Sequence, residues 1–186
     1  TGNTLVQTLN AITLATNDDT NPVLSSTNGN VTVKTFTGET ASGGYALSIT
    51  GDIKAGKAID LETNSGTLGY TGDASAATGV TLKSAAVGGV ITVSGSLATN
   101  GTTNTDNPIL VQTNGAAINL SQTTAGDAGQ NVLSTAQGAA TVNAAGGAIN
   151  IQGNADVKGA LEVTTTTGKI TVGGESTPYT MSGGSS

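Results

Sequence analysis

The sequence predicts an all-β protein wound as a parallel β-solenoid. Three observations carry this reading: short aliphatic strand signals alternating with polar residues, Gly- and Asn-rich corners between them, and an internal echo 86 residues apart. Of the 186 residues, 35% are hydrophobic but only 2% aromatic, so the core must be filled by Val, Ile, Leu and Ala. One globular core without large rings is hard to fill, whereas a narrow core repeated in layers needs only a few aliphatic side chains per layer. Disorder usually comes with high charge and much Pro; here charged residues are 10% and prolines number 3. The abundant polar residues are Thr, which favours strands, and Asn and Gly, which favour turns.

The strand signals run in order through Ile12-Thr13-Leu14, Val31-Thr32-Val33, Ala58-Ile59-Asp60-Leu61, Val80-Thr81-Leu82, Val90-Ile91-Thr92-Val93, Ala117-Ile118-Asn119-Leu120, Ala148-Ile149-Asn150-Ile151 and Lys169-Ile170-Thr171-Val172. Each has the period of two of a half-buried strand. The alternation predicts that Val31, Val33, Ile59, Leu61, Val80, Leu82, Val93, Ile118, Leu120, Ile149, Ile151, Ile170 and Val172 point inward. Thr32, Asp60, Thr81, Thr92, Asn119, Asn150 and Thr171 then point outward. Corners with positive φ are expected at Asn28-Gly29, Gly43-Gly44, Gly88-Gly89, Asn100-Gly101, Asn114-Gly115, Gly146-Gly147 and Gly173-Gly174. The Ala-rich stretch from Ala136 to Ala148 is broken by glycines and a Thr-Val-Asn strand signal, so no helix is expected there.

Internal repetition organises the chain. Asn21-Pro22-Val23-Leu24-Ser25-Ser26-Thr27-Asn28-Gly29 recurs as Asn107-Pro108-Ile109-Leu110-Val111-Gln112-Thr113-Asn114-Gly115, 86 residues on. After one inserted residue Val31-Thr32-Val33 meets Ile118-Asn119-Leu120, and Leu47-Ser48 meets Leu133-Ser134. A looser echo links 53–59 with 157–161. These predict one solenoid domain over residues 1–186, with internal repeats 21–106 and 107–186. At about 20 residues per coil and about 4.8 Å per coil, the chain makes roughly nine coils and a rod of about 40–45 Å. An antiparallel sandwich or barrel would show similar short strands; the scarcity of aromatics and the echo favour the solenoid.

The chemistry the residues permit is narrow. Net charge is −6 and the pI about 4.2, with six Lys and no Arg. Without clustered cations or stacking aromatics, no nucleic-acid or anionic-membrane surface is expected. No run of about 18 apolar residues is present, so no membrane-spanning helix is expected. Lack of Cys excludes disulfides and thiolate metal sites, and lack of His excludes Ser-His-Asp catalysis and imidazole metal sites. Asp18-Asp19, beside Asn17 and Asn21, offer hard oxygens for Ca²⁺, but a solvated turn explains them as well. Asp60 and Glu62 share one strand face, as a glycosidase pair would. With no Arg, no Trp and few aromatics around them, they read as exposed acids. Thr164 to Thr167, and Thr32, Thr35 and Thr37, suggest a hydroxyl ladder like those of ice-binding solenoids, or ordinary inter-coil Thr stacking. Asn30, Asn100 and Asn119 begin Asn-x-Ser/Thr sequons of the kind such a composition produces by chance. The expectation is a non-enzymatic chain with no catalytic residues, cofactor or metal.

Segments such as Asn28-Gly29-Asn30-Val31-Thr32-Val33, Gly51-Asp52-Ile53-Lys54-Ala55-Gly56-Lys57-Ala58-Ile59-Asp60-Leu61 and Thr167-Gly168-Lys169-Ile170-Thr171-Val172-Gly173-Gly174 resemble the coils of filamentous-haemagglutinin-like proteins. That group includes two-partner-secretion exoproteins, autotransporter passengers and β-strand-repeat bacterial surface proteins. The resemblance implies a right-handed parallel β-helix, export to the cell surface, and an adhesive or coat-building role. With no signal peptide visible and Thr1 first, the chain reads as a mature or excised shaft segment. No cap helix or aromatic plug marks either end, and Met181 to Ser186 is linker-like. Two main functions follow, an adhesive shaft with a host or cell-surface ligand or a filament or coat subunit, with a polysaccharide-binding or -cleaving β-helix as a minor alternative. Self-association, or stacking on flanking repeats of the same polypeptide, is expected in either case.

Overall fold

The computed structural model describes residues 2–16, 21–36, 45–101, 108–122, 130–173 and 180–184. The chain winds through seven coils of three strands each. The first is β1 (Thr4–Thr8), β2 (Ile12–Ala15) and β3 (Leu24–Ser26); the second is β4 (Val31–Thr35), β5 (Tyr45–Thr50) and β6 (Ile53–Ala55). Then come β7 (Ala58–Thr63), β8 (Thr67–Thr71) and β9 (Ala74–Ala76), followed by β10 (Gly79–Val87), β11 (Ile91–Ser94) and β12 (Leu97–Thr99). The fifth coil is β13 (Ile109–Asn114), β14 (Ile118–Ser121) and β15 (Asn131–Thr135); the sixth is β16 (Ala140–Asn143), β17 (Ile149–Gln152) and β18 (Asn154–Val157). The seventh is β19 (Leu161–Thr164), β20 (Ile170–Val172) and β21 (Met181–Gly183).

Every third strand pairs in parallel, which makes three seven-stranded sheets: sheet A from β1 to β19, sheet B from β2 to β20, sheet C from β3 to β21. Strands make up 61% of the described residues, which contain no helix. The result is a right-handed parallel β-helix, the hand that parallel crossovers strongly prefer.

Seven coils replace the nine expected because most coils are longer than 20 residues. Along sheet A, the steps from Thr4 through Val31, Ile59, Val80, Ile109 and Ala140 to Leu161 are 27, 28, 21, 29, 31 and 21 residues. The shortest circuit is 21, and the extra residues fall at corners, where added length leaves the stacked strands in register. Seven layers at about 4.8 Å make a stack about 34 Å long.

The core is a set of aliphatic columns. On sheet B, Leu47, Leu68, Ile91, Ile118 and Ile149 stack in register and are fully buried. On sheet A, Val33, Leu61, Leu82, Val111 and Val142 do the same. Each fully buried Leu or Ile contributes about 1.5–3 kcal/mol relative to exposure, but only once a neighbouring coil covers it. The expected outward residues, Thr32, Asp60, Thr81, Thr92, Asn119, Asn150 and Thr171, alternate with these columns and are partly exposed. Two expected core residues depart from the prediction. Ile170 and Val172 are in register with Ile149 and Ile151, yet are 42% and 44% exposed, because no described coil follows them. The linker-like end also differs: Met181–Gly183 pairs with Ala155–Val157 as the last strand of sheet C.

The corners are built differently from the prediction at several glycines. Gly88, Gly115 and Gly173 do have positive φ, and so do Gly51, Gly66, Gly72 and Gly95. Gly29 and Gly147 are needed for close stacking: a Cβ there would lie 2.6 Å from Gly2 O and 2.1 Å from the Ala116 carbonyl carbon. Gly43-Gly44 and Gly174 lie outside the described residues.

The echoed segments occupy different sheets. The segment on β3 recurs on β13, that on β4 on β14, and that on β5 on β15. Each step is ten strands: three coils and one further face. Ile59-Asp60-Leu61 on β7 and Ile149-Asn150-Ile151 on β17 follow the same step.

Candidate interaction surface

The three outer faces differ in chemistry. Sheet A carries most of the charge on the described strands. Its two outer columns run Leu5, Thr32, Asp60, Thr81, Leu110, Thr141, Glu162 and Gln7, Lys34, Glu62, Lys83, Gln112, Asn143, Thr164. Sheet C presents one outer column, from Ser25 and Lys54 to Asp156 and Ser182. Sheet B presents only small or neutral polar residues, including Thr13, Ser48, Gly69, Thr92, Asn119, Asn150 and Thr171. Asn150 Nδ2 donates to Asn119 Oδ1 at 2.8 Å, the start of an amide ladder along the stack.

Asp60 and Glu62 do share a face, as the alternation requires. Lys34, from the preceding coil, reaches both: its Nζ lies 2.8 Å from Asp60 Oδ2 and 2.8 Å from Glu62 Oε2. These bonds, to Asp60 first and then Glu62, hold the Lys34 ammonium above its ordinary pKa. A cation bridging both oxygens favours two ionised carboxylates, whereas acid catalysis requires one of them to hold a proton.

The threonines do not form a free ladder. Thr35 faces the interior, where its hydroxyl donates to Thr63 Oγ1 at 3.0 Å. Thr165, Thr166 and Thr167 donate to the backbone oxygens of Gly147, Ala145 and Gly146 in the coil below, at 2.8, 2.7 and 3.1 Å. Thr32 lies on the outer face, and Thr37 lies outside the described residues, as do Asp18 and Asp19. No group of three or more acidic side chains suited to a metal ion occurs among the described residues.

A groove lies on the A–B edge, and the strand signals gave no warning of it. It has a volume of about 310 Å³ and is lined by Lys83, Ser84, Ala85, Gln112, Thr113, Asn114 and Ala145. The corner from sheet A to sheet B takes five residues from Thr63 to Leu68 and from Thr113 to Ile118, but seven from the equivalent Ser84 to Ile91. The two extra residues break the β10–β13 register between Ser84 and Val87, and leave Val87 88% exposed. Ala145, on the groove's far side, has φ of 47°, the sole positive value for a non-glycine among the described residues. Asn143 Oδ1 accepts the Ala145 N–H at 2.8 Å and holds that turn. A family comparison, a comparison with curated proteins and a comparison with solved structures each return no match to this chain, so the stacked coils and this groove are the ground on which its function is read.

Proposed function

We propose that this chain is a non-catalytic shaft segment of an extracellular microbial surface protein of the filamentous-haemagglutinin-like kind, structural and adhesive in role. The observation that carries the reading is the open end of the stack. Ile170 and Val172 continue the buried columns of Ile149 and Ile151, yet face solvent. Leu161, Val163 and Met181 beside them are only partly covered. At the other end Val6, Leu14 and Leu24 are likewise half-covered. A further coil would bury these side chains and take up the backbone hydrogen bonds of the end strands. The repeated Gly-polar-aliphatic coils support the family reading, and the Lys34 bridge over Asp60 and Glu62 supports a non-catalytic one.

The same open ends favour a second reading, a subunit that stacks on copies of itself into a filament or coat. Such a head-to-tail contact is heterologous and does not close into a ring. Negative-stain microscopy with sedimentation analysis of the purified chain separates the two. Short rods of one chain length support the shaft, and long unbranched fibres support the filament. Compact particles with antiparallel β spectra, or release of reducing ends from glycans abolished by Glu62→Gln, overturn both.

A further inference from the structure

We propose that the groove on the A–B edge binds a carboxylated sugar residue, with Lys83 as the cation that meets the carboxylate. The proposal deepens the adhesive part of the reading above and rests on it for its biological use.

Two irregularities, an inserted bulge and a left-handed alanine, meet at this one place. The two-residue insertion in the fourth coil opens the groove's lower wall. The insertion turns Val87 out into solvent next to its register partner Asn114. The left-handed Ala145 forms the upper wall. A strained non-glycine residue and an inserted bulge each cost stability, and such features gather where a surface is shaped for a ligand.

The polar groups set the ligand's chemistry. Lys34 is committed to Asp60 and Glu62, whereas Lys83, in register with Glu62 on the next coil, makes no ion pair among the described residues. Lys83 therefore lines the groove without a carboxylate of its own among the described residues. Gln112, its register partner on the other side, is exposed and adds an amide donor. Asn114 Nδ2 donates to Ala85 O at 3.2 Å, which leaves its carbonyl oxygen free to accept a hydroxyl. The methyl groups of Ala85 and Ala145 supply apolar contact. No aromatic ring lines the groove, so a neutral sugar lacks the stacking surface that usually holds it, and a charge-assisted hydrogen bond takes that role. The volume, at the small end of ligand sites, suits one or two sugar rings.

The test is an amide-resolved NMR titration of the intact chain with sialyllactose, a glucuronate-terminated trisaccharide and lactose. Saturable shifts at Lys83, Val87, Gln112 and Asn114 with either acidic sugar, and none with lactose, support the site. Lys83→Met should weaken that binding by about tenfold or more, as expected for loss of a charged hydrogen bond, while Lys57→Met, an exposed lysine outside the groove, leaves it unchanged. If Lys83→Met alters the spectrum of the free chain broadly, Gln112→Ala carries the same expectation. Equal shifts with lactose, shifts spread over the other faces, no shift at all, or full binding by Lys83→Met and Gln112→Ala overturn the proposal. These outcomes read the groove of a single chain and leave the rod or fibre result above untouched, so the two readings fail separately.

Discussion

Thr63 illustrates how much of this chain's threonine serves the interior rather than the surface. It is fully buried at the end of β7, accepts from Thr35 Oγ1 and from Ser65 N, and donates to Ser65 O. Thr113 and Thr135 repeat the device, donating to Ala116 O at 2.6 Å and Gly138 O at 2.5 Å. A buried hydroxyl that ties down its own corner satisfies a carbonyl that would otherwise lack a partner. Thr35, which the sequence offered for an outer hydroxyl ladder, belongs to this inner column: it lies two residues after Val33, as Thr63 lies after Leu61 and Thr113 after Val111, so the alternation itself carries all three inward. Tyr70 is the contrasting case. Its ring fills the column between Ile49 and Val93, but its hydroxyl is buried with no hydrogen-bond partner. The nearby Ile53 N–H already donates to Asp73 O at 3.0 Å. Burial first, and then the charges of Asp52 and Asp73, push the phenol's pKa far above its ordinary 10.0. A raised folded pKa means stability that is complete below pH 10 and declines as pH rises past the unfolded phenol's value. Tyr70→Phe should therefore fold with equal or greater stability at neutral pH, by up to about 1 kcal/mol. It should also lose the parent's alkaline weakening above pH 10, as urea melts across that range would read.

At the scale of one coil, the corner between sheets B and C decides the stacking. Gly51, Gly72 and Gly95 sit above one another with φ of 118°, 135° and 138°. A Cβ on Gly95 would lie 2.0 Å from Gly72 O, which is backbone and has nowhere to go. Gly88 shares the positive φ, at 86°, but a Cβ there meets nothing within 4 Å. Gly95→Ala should cost more than about 2 kcal/mol, conformational strain plus overlap, and Gly88→Ala about 1 kcal/mol of strain alone; thermal melts of the pair test the difference. Between stacked corners, Asp73 Oδ1 accepts Ser96 N and Ser96 Oγ at 3.0 and 2.8 Å, while Asp52 Oδ1 accepts Asp73 N at 3.0 Å. On sheets A and B the strands β2, β4, β7, β10, β11, β14, β17 and β20 were legible because Ile118-Asn119-Leu120 and its kin carry large aliphatics on either side of a polar residue, whereas β1, β5, β8, β13 and β19 were not among the strand signals. Those of sheet C were not legible either. Ala74-Ser75-Ala76 and Leu97-Ala98-Thr99 have three residues and small side chains, too little for alternation to register. The groove escaped notice for a related reason. Ala85, Ala86 and Val87 look like more strand, and only the register of both neighbours reveals two residues too many.

For the whole molecule, stability is a sum over neighbouring coils, and the middle of the stack differs from its ends. Ile118 lies in the fifth coil, covered on both sides by Ile91 and Ile149. Ile118→Asp would bury an unpaired charge at a cost of several kcal/mol and should unfold the chain. Ile170→Asp, in the same column but already 42% exposed, should cost about 1 kcal/mol or less in a single chain. The same change should abolish any stacking at that end, which sedimentation would read as loss of the larger species. The number of coils could not be counted from strand signals, because the corner insertions vary from coil to coil while the strands do not. The ten-strand echo has a consequence for any longer array built on the same period. Ten strands on a three-sided shaft turn each motif by one face, so a copied feature is not carried straight up the rod. It winds around it like the thread of a screw and returns to its starting face only after thirty strands. That is ten coils, a pitch of about 48 Å. A shaft built this way would offer the same motif in every direction around its axis, and would not have to be turned toward whatever it meets.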